Sequence, residues 1–248
     1  HAVIDRALEA LEEVDVPDRT EEPAPVPKAF TTEPDFIRRV TARLLAGEGD
    51  QLPVSALPVD GTFPTGTTRY EKRGLASEIP IWDADLCIDC GRCALSCPHA
   101  AIRMKAYDPS DLVDPPPGFA WKEATGRDLA GKYLTIQVAP EDCTGCGVCV
   151  DVCPAVSKEV AAHKAIDMTP IDDFIERERE NFDYFLSLRP ARRQEVNLLS
   201  VKGTQLIDPL FEFSGACAGC GETPYLKLMT QMFGDRVVGG NPTRSCKE

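Results

Sequence analysis

Apolar and polar positions divide the chain into a few helical runs and short strands, separated by long turn-rich stretches. Residues 1–15 repeat Ala, Leu and Glu at helical spacing, and 35–46 carry a second short helical pattern. Between them Pro17, Pro23, Pro25 and Pro27 predict an extended linker, because each proline fixes its own φ and restricts the residue before it. Residues 47–78 hold too many Gly, Pro and Thr for a helix, above all over 59–68, and are expected to form an ordered surface segment or strap. Alternation over 101–105 and 133–138 predicts two strands that bracket a loop containing Pro115, Pro116 and Pro117. Ile171, Phe174, Ile175, Phe182, Phe185 and Leu186 recur among Asp, Glu and Arg, which predicts a packing helix over 171–188. A last helix is expected from Tyr225 to Phe233, with Thr223 as N-cap and Pro224 at the first helical position.

An internal repeat cuts across these elements. Cys87-Ile-Asp-Cys90-Gly-Arg-Cys93-Ala-Leu-Ser-Cys97-Pro98 is echoed by Cys143-Thr-Gly-Cys146-Gly-Val-Cys149-Val-Asp-Val-Cys153-Pro154. Two copies of C-x2-C-x2-C-x3-C-P are the pattern of a two-cluster bacterial ferredoxin, in which the fourth Cys of each run ligates the other cluster. On this reading Cys87, Cys90, Cys93 and Cys153 hold one [4Fe-4S] cluster, and Cys143, Cys146, Cys149 and Cys97 hold the second. Gly91, Gly145 and Gly147 let backbone amides approach the sulfurs. The fold class that follows is α+β: a ferredoxin-like domain with an insert between its cluster motifs.

Composition narrows the alternatives. The 248 residues are 43% hydrophobic and 27% charged, the make-up of a soluble globular protein. Forty acidic against 27 basic side chains leave a net charge of −13, which repels phosphate backbones and anionic lipid. Nucleic acid and membranes are therefore not expected partners. No apolar run approaches the roughly 18 residues that would cross a bilayer, and the acid-rich start is unlike a secretion signal, so the expected location is cytoplasmic. Eleven cysteines is an odd count and cannot pair completely. Zinc also uses C-x2-C pairs, but it does not call for a third Cys at the same step followed by Cys-Pro.

Other chemistry-bearing residues are less specific. Cys217-Ala-Gly-Cys220-Gly-Glu222 alone reads as a redox dithiol, half a metal site or chance. Cys246 is either a further ligand or incidental. His1, His99 and His163 form no catalytic arrangement and are read as packing or surface residues, as are Trp82 and Trp121. The acidic run 172–180 is read as a solvated face.

Several segments together resemble pyruvate:ferredoxin (flavodoxin) oxidoreductase, the thiamine-diphosphate-dependent 2-oxoacid oxidoreductase family. They are 52–56, 59–68, Glu71-Lys72-Arg73, both cysteine runs, 133–138, and 211–225 followed by Phe233-Gly-Asp-Arg236. The resemblance implies decarboxylation of pyruvate, electron transfer through three [4Fe-4S] clusters to ferredoxin or flavodoxin, and delivery of acetyl to coenzyme A. It implies that the chain is part of a longer polypeptide that is a homodimer when complete. The α+β two-cluster domain, 79–190, would then be flanked by partial segments of neighbouring domains: residues 1–78 would close a preceding domain and its Glu-Lys-Arg linker, and 191–248 would open the domain that binds thiamine diphosphate and Mg2+. By position, Cys217 and Cys220 resemble ligands of a third cluster, and Glu222 a residue beside the thiamine cofactor. The family's Asn-Ala-Thr-Gly-Cys is replaced here by Asn241-Pro-Thr-Arg-Ser245-Cys246, with Cys one residue late. The missing fourth ligand, the magnesium site and the substrate pocket are therefore expected outside this chain, which alone should be inactive on pyruvate. The competing expectation is a stand-alone two-cluster electron carrier.

Overall fold

A computed structural model describes Arg6, Ala10, Leu11 and residues 30–237. The expectations for the proline linker and for Cys246 lie outside these residues, and that for 1–15 almost wholly so. The chain forms two compact units, one ending at Ala56 and the other beginning at Leu57. In the first, the expected helix over 35–46 turns α-helical at 35–36, passes through a π-helical stretch, Ile37–Thr41, and continues into α1 (Ala42–Leu45). Its buried face is Ile37, Val40 and Thr41.

The second unit contains β1 (Glu78–Trp82), α2 (Arg92–Ser96), β2 (Ile102–Tyr107), β3 (Lys122–Glu123), β4 (Tyr133–Val138), α3 (Val148–Asp151), β5 (Ile166–Pro170), α4 (Ile175–Ser187), α5 (Val201–Gln205) and α6 (Thr223–Phe233). Two antiparallel sheets result, β1 with β5, and β2-β4-β3. The two predicted strands pair in register from Ile102 opposite Val138 to Tyr107 opposite Tyr133. The β1–β5 pair, running from Glu78 opposite Pro170 to Trp82 opposite Ile166, was not anticipated, nor was the insert's short β3. Residues 47–78 form turns and single 3-10 turns up to β1, as a strap would.

Alternation in β2 predicts a half-buried strand, yet all six of its residues are buried. Ile102, Met104 and Ala106 join the core with Leu134, Ile136 and Val138 of β4. The opposite, polar face is covered by α4. There the Arg103 guanidinium lies 5.8 Å from the Phe182 ring centre, and Lys105 donates to the carbonyls of Phe185 (3.0 Å) and Leu188 (2.8 Å). These carbonyls end α4, where the Leu188 amide also donates to the Phe185 carbonyl at 3.3 Å, and the buried lysine supplies the remaining donor. Helix α6 starts one residue earlier than expected. Glu222 is the N-cap without a side-chain bond, and Thr223 and Pro224 occupy the first two helical positions.

Candidate metal centre

Each cysteine run folds as a loop that turns through left-handed backbone into a short helix. Gly91 (φ 72°) precedes α2 and Gly147 (φ 74°) precedes α3. One step earlier the repeats use different residues for the same bend, Asp89 (φ 57°) and Gly145 (φ 67°). In both, the amide of that residue donates to the first sulfur of its run, Asp89 to Cys87 Sγ and Gly145 to Cys143 Sγ, each at 3.4 Å. Asp tolerates the left-handed region better than most side chains, and here its carboxylate is also used. Buried Asp89 accepts from the Thr125 amide and hydroxyl, each at 2.7 Å, and lies 3.5 Å from Lys122 Nζ and 3.6 Å from Lys202 Nζ. The insert is thereby pinned to the first loop.

The sulfurs surround two cavities, and the sets are crossed. Cys87, Cys90 and Cys93 line the first together with Cys153, against Ile136, Ala165 and Ile166. Cys143, Cys146 and Cys149 line the second together with Cys97, against Pro80, Ile102 and Met168. Counting their openings, the spaces are about 310 and 340 Å3. Among the described residues no group of three or more Cys, His, Asp or Glu converges as a single ion requires. Four thiols spread around an apolar space suit a polynuclear iron-sulfur cluster rather than one tetrahedral zinc. The ten described cysteines are all free.

Burial sets the thiol chemistry. It pushes Cys93 and Cys143 up to about 12 and raises Cys87 and Cys149 as well. Without metal these groups stay protonated, so iron must displace their protons when it binds. Cys220 differs. Its sulfur receives the backbone N–H groups of Thr223 and then Glu222 at the start of α6, which lower its pKa. Cys217 is exposed and Cys220 half-buried. Their loop packs against the second cavity, for a Cβ added at Gly219 would lie 3.8 Å from Cys146 Cβ and from a Val148 methyl. No third or fourth ligand joins this pair among the described residues. Glu222 is exposed at the N-cap.

The strap holds these parts together. Thr68 Oγ1 donates to the Glu212 carbonyl (2.9 Å), Arg73 to the Ser214 carbonyl (3.1 Å), and Lys72 pairs with Asp142 (2.5 Å). His99, directly after Cys97-Pro98, is buried with Nδ1 3.1 Å from the Ser214 carbonyl, and burial lowers its pKa. His163 sits between Asp167 (2.6 Å) and Asp83 (2.9 Å), and Trp121 stacks on Tyr133. Sequence reasoning missed Asp89, Arg103, Glu212 and Lys227. Their one signal was a charged residue type at a position whose neighbours are apolar.

A family model described as a 4Fe-4S dicluster domain matches residues 86–156, and another, described as a domain of unknown function, matches residues 20–76. The chain is 54% identical over 86% of its length to the pyruvate-flavodoxin oxidoreductase of Nostoc sp., covering 18% of that protein. It is 49% identical over 98% of its length to the pyruvate:ferredoxin oxidoreductase of Moorella thermoacetica, covering 20%. It is also 44% identical over 84% to the mitochondrial pyruvate dehydrogenase [NADP(+)] of Euglena gracilis, covering 11%. The chain thus spans about a fifth of the length of the first curated relatives it matches. Among the described residues no helix is long and apolar enough to cross a membrane.

Proposed function

We propose that this chain, related over nearly its whole length to pyruvate-flavodoxin and pyruvate:ferredoxin oxidoreductases, is the electron-relay segment of such an enzyme. The observation that carries the reading is the crossed lining of the two cavities, three cysteines from one repeat and the fourth from the other. Cys87, Cys90, Cys93 and Cys153 would hold one [4Fe-4S] cluster, and Cys143, Cys146, Cys149 and Cys97 the other. Bound there, the clusters supply one-electron acceptors and donors. The residues around them supply the rest. Ile136, Ile166 and Met168 keep water from the sulfurs, the amides of Asp89 and Gly145 stabilise thiolate charge, and the short helices hold the two sites side by side.

In the full-length protein Cys217 and Cys220 contribute two ligands to a third cluster, and Glu222 lies beside thiamine diphosphate with its Mg2+. The packing of Gly219 on Cys146 supports an order in which electrons enter through that third site, pass to the second cavity and leave from the first. The reaction served is oxidative decarboxylation of pyruvate to acetyl-coenzyme A and CO2, with ferredoxin or flavodoxin as acceptor, in a cytoplasmic homodimer. Residues 1–78, 79–190 and 191–248 are the corresponding domain segments.

Anaerobic iron and sulfide analysis with an EPR spectrum of the dithionite-reduced chain tests the reading. About eight irons per chain and spin-coupled signals are expected. Zinc, or no metal, would overturn it.

A further inference from the structure

Lys227 belongs to α6, the helix that begins beside Cys220, and its side chain is 1% exposed. Its Nζ donates to the carbonyls of Ala94, Leu95 (3.0 Å) and Cys97 (3.0 Å), three acceptors for the three protons of an ammonium. These carbonyls end α2, where the helix itself offers no donors. Among the described residues Lys227 has no carboxylate partner. Helix α2 is unusual in its position. Cys93 within it lines the first cavity, and its C-cap Cys97 lines the second. One side chain therefore links the helix that follows Cys220 to the helix that serves both cavities.

A buried ammonium carries a desolvation cost that a neutral donor does not. What offsets that cost is nearby negative charge, and a cube held by four thiolates is anionic. We infer that Lys227 is a positioning residue of the relay, one that holds α2 against α6 and through its charge raises the reduction potential of both adjoining clusters. The inference rests on the two-cluster reading above. Reduction adds negative charge, and in a weakly screened interior a nearby cation favours the more negative state. Lys105 is the internal comparison. It too is a buried lysine on helix-terminal carbonyls, but those of α4, which lines neither cavity.

The test is an EPR-monitored redox titration of the whole chain, with iron content measured on each sample. Lys227→Met and Lys227→Gln should move both midpoint potentials to more negative values, Lys227→Arg should stay near wild type, and Lys105→Met should move neither. Unmoved potentials in a fully loaded neutral variant overturn the inference, as does an equal shift in Lys105→Met. If both neutral variants fail to load iron while Lys227→Arg loads it, a cation is required and the inference stands. If Lys227→Arg fails as well, the role is packing alone and the inference falls. A wild-type chain without clusters would instead sink the two-cluster reading, a separate outcome.

Discussion

Arg103 and Glu212 form a buried ion pair that ties β2 to the segment leading into Cys217. Arg103 Nε also donates to the Ala100 carbonyl at 2.8 Å, and its guanidinium lies 4.9 Å from the Phe213 ring centre. From the strap, Arg69 reaches the other Glu212 oxygen at 3.0 Å. The pair therefore closes a junction between three stretches of chain that are remote in sequence.

Removing one partner of a buried pair strands the other charge. Glu212→Gln should destabilise the unit by about 3 kcal/mol, measured by anaerobic denaturant unfolding. Arg69 is more than half exposed and should contribute little, so Arg69→Gln is expected to cost under about 1 kcal/mol. Equal losses from the two substitutions would mean that Arg103 is not the principal partner.

Crossed ligation gives a pairing rule for cysteine variants. Cys90→Ala and Cys153→Ala should extinguish the same EPR signal, and Cys97→Ala and Cys146→Ala the other. Each should leave about four irons of about eight. Cys153→Ala sharing its lost signal with Cys146→Ala would replace crossed ligation by ligation within each run.

His163 provides a pH dependence. Hydrogen bonds donated to the carboxylates of Asp83 and then Asp167 raise its pKa, so the folded state favours the imidazolium. A raised folded value means that the contribution is complete below the unfolded value of about 6.5 and fades as pH rises through the folded one. The thermal midpoint of wild type should therefore exceed that of His163→Gln in acid, with the gap closing on the alkaline side. A gap that widens with pH would contradict the assignment.

Gly203 in α5 is closed in by backbone. A Cβ there would stand 2.0 Å from the Asn197 carbonyl oxygen and 3.0 Å from Ser200 Oγ, the hydroxyl that caps α5 by accepting from the Gly203 amide. Gly203→Ala should cost about 1 to 3 kcal/mol in denaturant unfolding, because the turn at 197–200, closed by the Ser200 amide on the Asn197 carbonyl, would have to open. No measurable loss would show that this turn yields freely.

The parts legible in the sequence are those whose signal is local. Cysteine spacing disclosed both loops and which cysteines share each cavity wall, alternation disclosed β2 and β4, and apolar periodicity disclosed α4. The β1–β5 pair escaped because Pro80 sits inside one strand, while the other offers only four alternating residues, Ile166 to Thr169, before Pro170. Lys227 and Arg103 escaped for another reason. A charged residue in a strand or helix reads as solvent-facing, and only the arrival of a distant segment, the end of α2 or the Glu212 carboxylate, makes burial tolerable. Asp89 escaped in the same way, since its partners Thr125, Lys122 and Lys202 come from the insert and from beyond α4.

The crossing also governs how the protein can be made. During synthesis the first three thiols emerge together, but the cavity they line lacks its fourth wall until Cys153 has been translated and the insert has folded back. Cys97 likewise waits for the second run. Neither lining is complete in a half-finished chain, so the clusters proposed above would be loaded only after both repeats have left the ribosome, when the two sites become available as a pair.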